Sequence, residues 1–360
     1  NIWLNTKTKL RSEWLNKLND QNEEELEEAL KIWWSPEVRM KMQMFKAMLA
    51  AKKNNSIYLF TLFLFSTFSL AQENTKPVPA FDFLINYQNV RDIAISKNQD
   101  EIYFTIQSPD EQVSKIAFVT KVKNKWSKSQ LVSFSSKHRD IEPFLSQDGL
   151  RLYFASNQPL NDSISKSKDY DIWYVERKKS KEKWSKPINL GLPINSEYDE
   201  FYPSIASNGN LYFTSENPKS LGKDDIYVAY WENNQYSEPE NISKNINTEG
   251  YEFNAFISPD EQFILFTGYG RTDGFGSGDL YVSYKDEEGN WDTAKNLGIS
   301  VNSKAMDYCP FYDASTKTLY FTSKRNSVTS ISFDNIERFI NEISKYENGF
   351  SRIYKHKIEL

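Results

Sequence analysis

Asp140, Glu200, Glu252 and Asp307 each stand three residues before the proline or alanine of an apolar run, at Pro143, Pro203, Ala255 and Pro310. Four acids brought to one place could bind a cation, a lysine- or arginine-bearing tail or a sugar. Two of them at a suitable separation could hydrolyse a glycosidic bond. Acids at the start of a strand also accept backbone N–H bonds from the adjacent loop and hold neighbouring units in register. A fifth copy of the pattern has Val90 at this position, with Asp92 close by. The four carboxylates are the chain's candidate ligand- or partner-binding residues.

No other group of residues specifies a reaction. The only histidines are His138 and His356, and no Gly-x-Ser-x-Gly elbow is present. A Ser-His-Asp triad would have to use His138, for which no nucleophile stands out. No His/Cys cluster has zinc-ligand spacing, so catalytic residues, metals and cofactors are all expected to be none. Cys309 lies in an apolar run beside Pro310 and reads as a small buried hydrophobe. The glycine-rich stretch Gly268 to Gly278 joins two strands, whereas a phosphate cradle would open a helix; it reads as a flexible hairpin on the rim. A formal net charge of -5 offers no basic face for nucleic acid or anionic lipid.

The elements that must position these residues are repeated. An apolar triplet recurs as Ile102-Tyr103-Phe104, Leu152-Tyr153-Phe154, Leu211-Tyr212-Phe213, Ile264-Leu265-Phe266 and Leu319-Tyr320-Phe321. The central residues are 50, 59, 53 and 55 positions apart, a period that suits a four-stranded unit. Before the triplet comes an apolar first strand and a tight turn, written Asp148-Gly149 or Asn208-Gly209. After it comes a third strand, marked by Asp171-Ile172-Trp173, Asp225-Ile226-Tyr227, Asp279-Leu280-Tyr281 and, in the last copy, Arg352-Ile353-Tyr354. An outer strand is expected to begin at Trp126, Trp184, Tyr236 and Trp291. Such short strands cannot bury both faces alone, and stacking them radially as blades does so. The expected fold is an all-β propeller of five blades, a sixth, degenerate blade being the alternative, with repeats near 90–136, 137–195, 196–248, 249–303 and 304–360.

These words resemble the TolB-like, WD-like propeller repeat, with Ile257-Ser258-Pro259-Asp260-Glu261 through Phe266 the nearest match. The resemblance covers Val90 to Leu360. It weakens in the first copy, where Lys115-Ile116-Ala117 replaces the acidic-aromatic word, and in the last, where Ser327 to Lys345 inserts an amphipathic helix. It implies a binding scaffold of the bacterial envelope, with a protein or peptide partner. A glycan-binding or glycan-cleaving propeller is the alternative. The third-strand acids Asp171, Asp225 and Asp279 read as loop-to-strand caps. In a propeller the first strand lines the channel, which would place Asp140, Glu200, Glu252 and Asp307 at one mouth.

Upstream, Ile57 to Leu70 is a 14-residue apolar run preceded by Lys52 and Lys53 and followed by Ala71. It is short for a membrane span and has the flanks of a secretory signal, with Ser69 and Ala71 placed for cleavage after Ala71. Residues 48–71 are therefore expected to be a signal peptide and the propeller periplasmic or secreted, with membrane contact only if the segment is uncleaved. Residues 1–47 have a helical pattern and read as an extension or fused upstream sequence. Residues 72–89 are expected to link to the ring or close it.

Overall fold

The computed structural model of the chain describes residues 76–161 and 167–360. The helical extension expected over 1–47 and the signal peptide over 48–71 lie outside the described residues. Among the described residues, the inner strands Val90–Ile95, Asp140–Leu145, Glu200–Ile205, Tyr251–Ile257 and Asp307–Asp313 each begin a sheet. Each pairs antiparallel with a triplet-bearing second strand: Glu101–Gln107, Arg151–Ser156, Leu211–Ser215, Phe263–Tyr269 or Thr318–Ser323. Third strands Ser114–Val122, Asp171–Glu176, Asp225–Ala229, Asp279–Tyr284 and Arg352–Lys357 follow, and a short outer strand pairs with each. The chain is a five-bladed β-propeller.

The first hairpin of each blade is set by local chemistry. In the second blade, Ser146 Oγ donates to Asp148 Oδ1 (2.6 Å) and accepts from Arg151 N (2.9 Å), while Gly149 takes φ +70. A residue without Cβ adopts that left-handed conformation at no steric cost. The same position is Gln99, Gly209, Glu261 and Lys317 in the other blades, all with positive φ.

The outer strands begin four residues later than the sequence suggests, at Gln130–Leu131, Ile188–Asn189, Glu240–Asn241 and Lys295–Asn296. The Trp-Ser and Tyr-Ser words instead close a small hairpin at the end of the third strand. Ser127, Ser185 and Ser237 accept through Oγ from the N–H of Thr120, Glu176 and Tyr230 at 3.1, 3.0 and 2.9 Å. Their own N–H groups return to the carbonyls of those residues. The seryl clamp satisfies the chain locally and turns it before pairing resumes.

Ring closure falls to two residues. Val78 and Pro79 pair with Lys355 and Tyr354, so the segment before the first blade supplies the outer strand of the fifth. The core is divided among the blade interfaces. Between the first and second blades, for example, Tyr103 and Ile116 pack with Leu152, Phe154 and Trp173. Comparable clusters fill the other four junctions. The inserted segment of the fifth blade forms a helix, Ile336–Ile343, whose Asn335 side chain accepts from Arg338 N. No helix among the described residues is long and apolar enough to cross a membrane.

Candidate functional site at the channel mouth

The four predicted carboxylates sit at the first position of their inner strands (second in the fourth blade), and each is at most 1% exposed. Each is held by its own preceding loop. Ser196, Thr248 and Ser303, four residues upstream, donate both backbone N–H and side-chain hydroxyl to Glu200, Glu252 and Asp307. Asp140 accepts from Ser136 N at 3.1 Å and Ser156 Oγ at 2.7 Å. Arg271 adds a guanidinium to Glu252 at 3.0 Å and Arg325 adds one to Asp307 at 3.1 Å. Burial pushes Glu252 and Asp307 above the usual carboxylate range, and Glu200 up to about 7. These acids knit loops to blades and do not line the cavity at the mouth.

Two positions further along each inner strand, the chain does something the sequence did not announce. Asp92, Glu142, Tyr202, Asn254 and Cys309 all have left-handed backbone, with φ of 54, 60, 51, 54 and 52°. At each of them the register with the second strand slips, the mark of a β-bulge. Positive φ is strained for residues with a Cβ, and it persists here because hydrogen bonds from neighbouring strands over-determine it. Thr322 Oγ1 accepts from Asp92 N, Thr105 Oγ1 from Glu142 N, and Thr214 Oγ1 from Asn254 N.

The bulges turn one side chain per blade toward the axis, where Asp92, Glu142 and Cys309 bond with Arg91. Its guanidinium donates to Asp92 Oδ1 at 2.7 Å and to Glu142 Oε1 at 2.6 Å. Glu142 also accepts from Asn254 Nδ2 at 3.2 Å and from Tyr202 N at 2.8 Å. The Cys309 thiol donates to Asp92 Oδ1 at 2.8 Å. Burial pushes Glu142 up to about 7 against the opposing pull of Arg91, and burial beside Asp92 raises the Cys309 thiol well above its ordinary range. Cys309 is buried as expected, but as a polar member of this cluster.

Above the cluster lies a cup of about 330 Å³. Its wall takes one residue from every blade, immediately before each bulge: Arg91, Ile141, Phe201, Phe253 and Tyr308. The loops add Arg139, which lies over the Tyr170 ring, and Lys324, which pairs with Glu111 at 2.8 Å. Asp224 also faces the cup, its carboxyl pushed up to about 6 by burial and by nearby Glu216.

The third-strand acids cap loops, as their position implies. Asp225 accepts from Leu221 N and Asn241 Nδ2, both at 2.6 Å, and Asp279 from Phe275 N and Asn296 Nδ2. Asp171 uses Lys168 and Asn189 instead. A second set of residues was legible but missed. Asn195, Asn247 and Asn302 follow Asn189, Asn241 and Asn296 by six residues, and each pairs through its amide with both backbone groups of Ile172, Ile226 or Leu280. The glycine-rich loop does join two strands; Gly270 supplies a left-handed turn with φ +81, while Gly268 and Gly276 serve close approach. A Cβ on Gly268 would meet Arg271 Cδ at 2.5 Å, and one on Gly276 would meet Ser303 O at the same distance. His138 lies apart from the cup's bonds, with Nδ1 2.9 Å from Ser167 Oγ.

The fold and its bulged centre define a class, the five-bladed propeller with a closed polar channel. Among solved structures, an RGII complex of BT0996 matches over 79% of this chain and 90% of its own length, at 9% identity and a TM-score of 0.50. The endo-arabinase from Bacteroides thetaiotaomicron matches 79% of this chain and 98% of its own at 13% identity, with a TM-score of 0.48. TolB from Acinetobacter baumannii matches 75% of this chain at 11% identity with a TM-score of 0.43, and the match spans 55% of the TolB chain. Identities this low concern fold alone. No protein-family model and no curated protein matches the chain.

Proposed function

We propose that the chain is a non-catalytic binding propeller that takes a protein or peptide segment into the cup at the channel mouth. One observation carries this reading: five blades each give a wall residue to the cup, while the charged groups beneath are already bonded to one another. Half-buried Phe201 and Phe253 offer the apolar anchor that a short segment needs. With the apolar run Ile57–Leu70 upstream, the setting that fits is the cell envelope or beyond it. The immobilised full chain should retain a partner from envelope extract. Phe201→Ser/Phe253→Ser should lose it, whereas Ile299→Ser, at a position 83% exposed, should keep it. Equal retention by all three would remove the cup from the binding surface.

A glycan in the same cup is the second reading, favoured by Asp92 and Glu142 together at the channel centre. One of this pair has the raised pKa that a general acid needs. Release of reducing sugar by the wild type, lost in Glu142→Gln, would replace the first reading with this one.

A further inference from the structure

The formal charge of -5 conceals a segregated surface. The hairpins that follow the third strands all lie at one end of the blades. In the first blade that hairpin carries Lys121, Lys123, Lys125 and Lys128 and no acid. In the second, Arg177 to Lys186 holds Arg177, Lys178, Lys179, Lys181, Lys183 and Lys186 against Glu182 alone. The equivalent hairpins of the third and fourth blades are acidic, with Glu232, Glu238 and Glu240 in one and Asp286, Glu287, Glu288 and Asp292 in the other.

The fold brings the two basic hairpins to opposite sides of one cleft of about 420 Å³ between the first and second blades. Lys121 lines one side, and Lys181 and Lys183 the other. The cleft is built from below by a buried bidentate pair, Arg177 with Glu101 at 3.0 and 2.5 Å, and the guanidinium stacks 4.2 Å from the Trp184 ring. Lys181 pairs with Asp100 at 3.1 Å. No other lysine of these two hairpins makes an ion pair among the described residues. Cations gathered this way outnumber the acids beside them, against the protein's net charge, and hold a positive potential that attracts an external anion.

We propose that this cleft binds an acidic polysaccharide. Lysines spread over two hairpins suit charges distributed along a polymer better than a single oxyanion, which a forked arginine holds best. The polar lining, Thr120, Gln130 and Ser133, offers hydroxyl and amide partners to sugar hydroxyls. Nucleic acid is disfavoured because the rings that line the cleft are already engaged: Arg177 lies over Trp184, Phe118 stacks on Tyr103, and Tyr103 is 1% exposed. The site is separate from the cup and does not depend on it.

The test is binding of the full chain to a fluorescent heparin oligosaccharide, to polygalacturonate and to a single-stranded oligonucleotide, at low and at physiological salt. At least one saccharide should bind, more weakly as salt rises. Heparin alone would mark sulfate as the charge recognised, and polygalacturonate would mark carboxylate. Affinity should fall roughly tenfold or more in Lys121→Gln/Lys123→Gln/Lys181→Gln/Lys183→Gln and persist when the same four become arginine. Phe201→Ser/Phe253→Ser should leave it unchanged, which separates this site from the cup. Failure to bind either saccharide, equal binding by the glutamine variant, or preference for the oligonucleotide would overturn the proposal. So would salt-sensitive self-association that the glutamine variant abolishes, since it would give the basic edge to the acidic edge of a second copy.

Discussion

The Cys309 thiol donates to Asp92 Oδ1 at 2.8 Å, although the two residues are 217 positions apart. One belongs to the last blade and the other to the first, so this bond and the two-residue strand at Val78–Pro79 both span the seam where the ring closes. The seam is therefore fastened at the axis and at the rim, and the axial fastening depends on a buried acid keeping its donors.

Removing the thiol leaves Asp92 without that donor in a site that is 1% exposed. Cys309→Ala should cost about 1–3 kcal/mol in denaturant unfolding, and Cys309→Ser should recover most of it. The native thiol, 0% exposed and with a raised pKa, should stay unreactive toward a thiol reagent until the protein unfolds.

Glu200 is pushed from its ordinary 4.5 up to about 7 by burial, against the bonds from Ser196. A raised folded pKa means that the native state keeps a proton the unfolded chain has already released. The contribution to stability is therefore full below about pH 4.5 and fades as pH rises toward 7. Glu200→Gln should flatten the stability–pH curve across that window; an unchanged slope in urea titrations would show that Glu200 is ionised in the native state.

Asn247 is 1% exposed and satisfies Ile226 N, Ile226 O and Asn241 Oδ1 at 3.0, 2.9 and 2.9 Å. Asn247→Ala should destabilise by about 1–3 kcal/mol because buried Ile226 N loses its partner, while the Ile226 carbonyl keeps Ile242 N at 3.2 Å. Asn247→Asp should do similar damage, since a carboxylate would face the Ile226 carbonyl. Thermal unfolding of the two variants beside Lys244→Ala, an exposed position of the same loop, would separate this effect from loop loosening.

Gly276 lies where the long loop of the fourth blade meets the next blade. A Cβ there would sit 2.5 Å from Ser303 O and 2.7 Å from Ala305 O, both of them backbone atoms that cannot rotate away. Gly276→Ala should cost on the order of 1–3 kcal/mol and loosen the Ser303 clamp on Asp307. Gly298→Ala, which has open space but φ +78, should be destabilised by backbone strain alone and leave that clamp intact. Amide exchange at Ser303 N distinguishes the two.

Blade number, strand order and the loop-capping acids were legible in the sequence because each blade must satisfy the same local needs. A tight turn, an apolar strand buried on both faces and a capped loop demand particular residue types, so the words recur. The acid at the start of the inner strand was legible as a position, whereas the hydroxyl four residues before it emerged as its partner only in the fold. The outer strands were placed early because Trp126 and Trp184 look like strand residues, whereas the serine after each one clamps a small turn first.

The channel centre had no such signature. Asp92, Glu142, Tyr202, Asn254 and Cys309 share a backbone conformation but no chemistry, so no comparison by residue type aligns them. What they do depends on which side chain arrives from the next blade. The basic cleft is hidden for a related reason, since net charge averages over a surface that only folding divides. Local propensity wrote the blades in the sequence. The bulged ring, the seam bond from Cys309 to Asp92 and the pairing of two lysine hairpins across one cleft depend on contacts between blades, which only the closed ring creates.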